Sequence, residues 1–159
     1  MKKLKIYLDT SVISHLQADD VPGKMVKTLE FWEYIERGEY SVFISDLVVA
    51  EIEECPEPKK FFLTEKMDEA PLEIIEINDE IAALAEKYIS QGVFLSKYLD
   101  DATHVAAASV LGCIAIVSWN FKHIVKLKTI IGVNGINRFM GYGEIEIITP
   151  EIIIEEESD

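Results

Sequence analysis

The chain has 159 residues, 49% of them apolar, and a formal net charge of −14. That length fills one hydrophobic core and is too short for two ordinary domains. Two cysteines, Cys55 and Cys113, exclude a disulfide scaffold and a thiolate zinc cluster, which points to a reduced, cytoplasmic protein.

The first apolar run, Leu4 to Leu8, follows Lys2 and Lys3 and is cut short by Asp9, too early for a signal peptide. It reads as a strand. Thr10 and Ser11 then offer N-caps for a short helix through Leu16. Beyond the turn at Asp19 to Gly23, Met25, Leu29, Trp32 and Ile35 recur at helical spacing until Gly38. Ser41 to Ile44 is a β-rich run, and Ser45 or Asp46 caps a helix carrying Leu47, Val48, Glu51 and Ile52.

Pro56 and Pro58 break that helix. Lys59 to Asp68 forms another, Leu72 to Ile77 a strand, and Asn78 or Asp79 opens a helix that reaches Gly92. Asp100 or Asp101 opens a helix to Gly112, followed by an apolar strand from Cys113 to Val117 that ends at Ser118-Trp119-Asn120. The uncharged stretch from Ala102 to Phe121 thus reads as a buried helix and strand, with no membrane span expected. Gly132, Gly135, Gly141 and Gly143 mark an irregular segment, and Ile145 to Ile148 is the last strand. Residues 1–150 read as one domain and 151–159 as an acidic tail.

Strands alternating with helices predict an α/β, three-layer fold with a mostly parallel sheet covered on both faces. In such sheets ligands bind beyond the carboxyl ends of the strands. Asp9 and Asn120 both end strands and fall at one edge, with Glu51 and Asp101 on helices that can face it. Asp100 is an alternative to Asp101. Gathered carboxylates repel unless a cation offsets them. Hard oxygen donors without a paired-His or Cys motif favour Mg2+ or Mn2+.

Each residue also has a plainer use: Asp9 as a turn former, Asp100 and Asp101 as caps, His104 as a satisfied core histidine, His123 as a surface group. Glu51 resists that reading, since an unpaired buried carboxylate is costly. The charge is uneven as well. Seven acidic and no basic residues lie between Glu144 and Asp159, whereas Ala102 to Gly143 has no acidic residue and carries Lys122, Lys126, Lys128 and Arg138. Lys122, Lys126 and Arg138 are therefore candidates to hold a phosphate backbone, with His123 beside them.

The stretches Ile6-Tyr7-Leu8-Asp9-Thr10-Ser11-Val12-Ile13, Leu47-Val48-Val49-Ala50-Glu51-Ile52, Asp101-Ala102-Thr103-His104-Val105-Ala106-Ala107-Ala108 and Val117-Ser118-Trp119-Asn120-Phe121-Lys122-His123, in that order, resemble the PIN-domain family, which includes toxins of toxin-antitoxin pairs. The resemblance implies a metal-dependent ribonuclease with Asp9, Glu51 and Asp101 as metal ligands and Asn120 as the fourth catalytic position. Ser11 would bond a phosphate oxygen or a water at the metal. It also implies an RNA substrate, an antitoxin partner and a homodimer. The family commonly has Asp where this chain has Asn120, which would hold a second ion more weakly.

Haloacid-dehalogenase-like chemistry needs a second Asp where Ser11 stands, and a metal-dependent adhesion motif is broken at Ile13. The remaining rival is a PIN-like module that binds RNA or protein with little or no catalysis.

Overall fold

A computed structural model describes residues 2–157. The chain runs β1 (Leu4–Leu8), α1 (Thr10–Ser14), α2 (Pro22–Glu36), β2 (Tyr40–Ser45), α3 (Asp46–Glu53), α4 (Lys59–Glu69) and β3 (Leu72–Ile75). It continues through α5 (Asp79–Ser90), a 3-10 turn (Ser96–Tyr98), α6 (Leu99–Val110), β4 (Ala115–Val117), α7 (Leu127–Met140), β5 (Glu146–Ile148) and α8 (Pro150–Glu157).

The five strands form one sheet in the order β3-β2-β1-β4-β5, and every pairing is parallel. The sequence pattern led to a mostly parallel sheet; the described sheet is wholly so. Ile6, Tyr7 and Leu8 of the central strand have no exposed surface, because helices flank the sheet and cover both faces of β1. The strand order turns back at β1: the chain first moves outward through β2 and β3, then returns to the other side of β1 with β4. Leu8 pairs with Val117, and the Asp9 amide extends the ladder to the Val117 carbonyl at 3.3 Å. Asp9 and Ser118 therefore leave adjacent strands at the point where the topology reverses, which is where open α/β sheets form their binding crevice.

Of the segment expected to be irregular because of its glycines, the part through Met140 is instead helix α7, and 141–144, with Gly141 and Gly143, is irregular as expected. Thr129, Val133 and Asn137 are buried at four-residue spacing along one face, and that periodicity outweighs the weak helix propensity of glycine. Gly132 has a packing role, since a Cβ there would lie 2.8 Å from a methyl of Val93. Gly141, at φ 88°, ends the helix in the left-handed region.

Of the segment read as an acidic tail, the part through Glu157 is α8, packed on α2 with Ile153 and Ile154 buried; Ser158 and Asp159 lie outside the described residues. The Tyr40 hydroxyl donates to Glu157 Oε1 at 2.8 Å. Ile153 and Ile154 supply the apolar face that the surrounding glutamates hide in the composition, while Ile152 beside them is exposed. Among the described residues no helix is long and apolar enough to cross a membrane.

Candidate active site

Asp9 follows β1 and caps α1. Its Oδ1 accepts from the Val12 amide at 3.3 Å and from the Ser11 hydroxyl at 2.6 Å, while Oδ2 accepts from the Ser118 hydroxyl at 2.5 Å. The residue is only 3% exposed. Burial raises its pKa, against the opposing influence of the His104 charge and the two serine hydroxyls. Ser11 is held in turn, its oxygen accepting from the Trp119 amide at 2.9 Å.

Glu51 projects from α3 as a half-buried carboxylate. Its Oε1 accepts from the Thr10 hydroxyl at 2.7 Å and is bonded to His104 Nε2 at 2.6 Å. Burial alone would push the Glu51 pKa up; the His104 bond and charge, with the Thr10 hydroxyl, outweigh it and hold the carboxyl below its ordinary range.

His104, on α6, is 2% exposed. Its Nδ1 lies 2.8 Å from the Tyr7 hydroxyl, which lies 2.8 Å from Ser45 Oγ. In the neutral ring form with the proton on Nε2, Ser45 donates to Tyr7, Tyr7 to Nδ1 and Nε2 to Glu51, so every member of this interior chain is then satisfied.

Asp101 lies in the first turn of α6, one helical turn before His104. Burial and the charges of Asp9, Glu51 and Asp100 push its pKa up to about 6, with His104 opposing them. Asn120 sits across from it: Nδ2 donates to Asp101 Oδ1 at 3.3 Å, and Oδ1 accepts from the His123 amide at 2.9 Å. The amide thus serves both neighbours at once, which a carboxylate, lacking a donor, cannot do.

The four residues expected from the sequence, Asp9, Glu51, Asp101 and Asn120, thus converge on one edge of the sheet, and no lysine or arginine is paired with any of them among the described residues. Their donor chemistry suits a hard divalent cation. As they stand, the carboxylates are turned toward hydroxyls and imidazole, and no group of three or more His, Cys, Asp and Glu side chains among the described residues is close enough to hold an ion.

Of the expected substrate-binding residues, Ser11 is engaged by Asp9, and Lys122, His123 and Lys126 line one cleft beside Asn120. Arg138 lies apart from that lining and pairs with Glu144 at 2.7 Å, both side chains exposed. Partial burial, and behind it the charges of Lys122, Lys126 and Lys97, lower the His123 pKa.

The sequence reading missed Thr10, Tyr7 and Ser118 as partners of the acidic residues. Ser118 was accessible to it, because the residue after β4 must face the residue after its parallel neighbour β1. Tyr7 was not, because its hydroxyl meets His104 across 97 positions of chain.

Residues 6–123 match the PIN-domain family model, and the chain belongs to that family. Its fold is similar to a chain of VapBC2 from Rickettsia felis, solved bound to a DNA fragment from its promoter, with 15% identity and a TM-score of 0.53 over 92% of this chain and 98% of that one. It is also similar to VapC20 from Mycobacterium tuberculosis, described as a sarcin-ricin loop cleaving toxin, with 14% identity and a TM-score of 0.55 over 74% of this chain and 92% of that one. No curated protein matches the sequence.

Proposed function

We propose that this PIN-domain protein is a metal-dependent endoribonuclease, hydrolysing RNA phosphodiester bonds as the cytoplasmic toxin of a toxin-antitoxin pair. The observation that carries this reading is Asp101. Its Oδ1 lies 3.3 Å from Asn120 Nδ2 on the edge it shares with Asp9 and Glu51 at the switch point of the sheet, and no lysine or arginine is paired with any of the three carboxylates among the described residues.

Asp9, Glu51 and Asp101 would hold Mg2+ or Mn2+, and for that the Asp9 and Glu51 carboxylates would share or exchange their bonds to Ser11, Ser118 and His104. When bound, such an ion would offset the clustered charge and polarise the phosphoryl oxygen under attack. Asn120 orients Asp101 through its amide and contributes no charge. Lys122, His123 and Lys126 would receive the RNA backbone, and Ser11 a phosphate oxygen once freed from Asp9.

The test is turnover of single-stranded RNA with and without Mg2+ or Mn2+, alongside Asp9→Asn and Asp101→Asn. Metal-dependent cutting lost in both folded variants supports the reading; no cutting by the pure protein with either metal overturns it.

The second reading, a PIN-like module that binds RNA or protein with little catalysis, has one observation in its favour: Asn120 supplies an amide where the family commonly supplies a carboxylate. It predicts RNA or partner binding that survives Asp101→Asn with no turnover. Homodimerisation and capture by an antitoxin that covers the acidic edge fit either reading.

A further inference from the structure

Beside the acidic edge lies a cleft of about 590 Å³ between the loop after α5 and the start of α7. Its lining includes Tyr98, Lys122, His123, Lys126 and Lys128. In a chain of net charge −14 these three lysines gather on one cleft, and among the described residues none of them is paired with a carboxylate. Alongside them the Tyr98 and His123 rings are stacked, centroids 3.7 Å apart at 29°. Lys97 Nζ sits 5.2 Å from the Tyr98 centroid.

Cleft and acidic edge share both walls. Tyr98 precedes Asp101 by three residues at the start of α6, and the His123 amide is bonded to Asn120, which bonds Asp101. A group in the cleft is thereby placed one short step from the carboxylates. The cleft is also firmly built, since Gly132 lets α7 approach Val93 more closely than any side chain would allow.

We infer that this cleft is a nucleotide subsite: it takes one unpaired nucleotide of a bound RNA, with its phosphate among Lys122, Lys126 and Lys128 and its base on the Tyr98–His123 stack. The inference rests on the ribonucleic-acid reading above and adds to it a specific pocket, Tyr98 as a recognition residue, and for His123 a base contact in place of a backbone one. Lysines alone would equally attract an acidic peptide. The aromatic pair favours RNA, because every base offers a π-face and an acidic side chain offers none. A base committed to a duplex cannot reach such a stack, so the subsite selects unpaired segments.

The test uses the full chain carrying Asp101→Asn, so that RNA is not consumed, and measures anisotropy of a labelled uridine-rich oligonucleotide across a salt series. His123→Ala is expected to weaken binding about tenfold, with His123→Phe restoring most of it. Replacing Lys122, Lys126 and Lys128 together by Ala should reduce the slope of log affinity against log salt by about 2. Arg138→Ala, outside the cleft, should change neither. An oligonucleotide bearing 5-iodouridine should photocross-link to the peptide containing Tyr98 or His123.

Parental affinity in both His123→Ala and the triple-lysine variant overturns the subsite. So does equal competition by polyglutamate that ignores His123→Ala, the result for an acidic-peptide site. If binding behaves as expected but the unmutated protein cuts no RNA with Mg2+ or Mn2+, the subsite stands and the nuclease reading falls. If RNA is cut while these variants bind like the parent, only the subsite falls. Absence of any RNA binding removes both.

Discussion

His104 Nε2 and Glu51 Oε1 are joined by a 2.6 Å hydrogen bond that ties the interior to the acidic edge. Behind it His104 Nδ1 reaches Tyr7, so one buried imidazole sets the position of a carboxylate on α3 from its own seat on α6. His104→Ala should therefore leave the Tyr7 hydroxyl without its ring partner and open a cavity. The expected loss is about 2–4 kcal/mol in urea unfolding, larger than for most single substitutions. Tyr7→Phe keeps the volume and leaves Nδ1 and Ser45 short of a partner, for a loss of about 1–2 kcal/mol.

Asp101 gives the protein a pH signature. Its folded pKa of about 6 lies above the ordinary 3.8, so the folded state holds the proton more tightly than the unfolded one. The contribution is fully present below about pH 4 and is lost as pH rises through about 6. In metal-free protein, Asp101→Asn should match the parent near pH 4 and exceed it at pH 7 by about 1–2 kcal/mol, allowing for solvent screening of a partly exposed group. Chemical denaturation at the two pH values measures the difference. Equal stability at pH 7 would contradict the assigned environment.

Asn120→Asp tests why an amide stands at this place. The substitution removes the donor to Asp101 and brings a like charge to about the 3.3 Å now spanned by a hydrogen bond. Asp101 should titrate above about 6, and metal-free stability at pH 7 should fall by about 1–2 kcal/mol. Affinity for Mn2+, followed by calorimetry, should rise several-fold as the added carboxylate gains a cation to pair with. Unchanged Mn2+ affinity would separate Asn120 from the metal site.

Two glycines in α7 should respond in opposite ways to alanine. Nothing lies within 4 Å of a Cβ built on Gly135, so Gly135→Ala should stabilise by about 0.5–1 kcal/mol through helix propensity. On Gly132 the same Cβ meets a Val93 methyl at 2.8 Å, and valine is stiff at χ1. Gly132→Ala should destabilise by about 1 kcal/mol despite the propensity gain and should weaken RNA binding at the adjoining cleft. Thermal melts of the pair are sufficient to show the contrast.

Much of this was legible in the chain alone. Alternating strands and helices led to the parallel α/β sheet, and strand-end residues such as Asp9 led to the acidic edge, because both depend on local periodicity and on a general rule of sheet topology. The glycines of α7 misled, since propensity is read one residue at a time whereas Gly132 is explained by Val93 in another element. The isoleucines of α8 were masked by flanking glutamates for a similar reason: the composition of a segment does not disclose a partner helix such as α2.

The sequence by itself determined which donors exist: three carboxylates and an amide in a fixed order, and a run of chain free of acid that carries the lysines. Only the tertiary structure decided how those groups are engaged. Hydrogen bonding at 2.5–3.3 Å depends on distances that packing sets between residues up to 109 positions apart, as with Ser118 and Asp9. Packing likewise stacked Tyr98 on His123. No local pattern encodes such pairings, because they arise where separate elements meet.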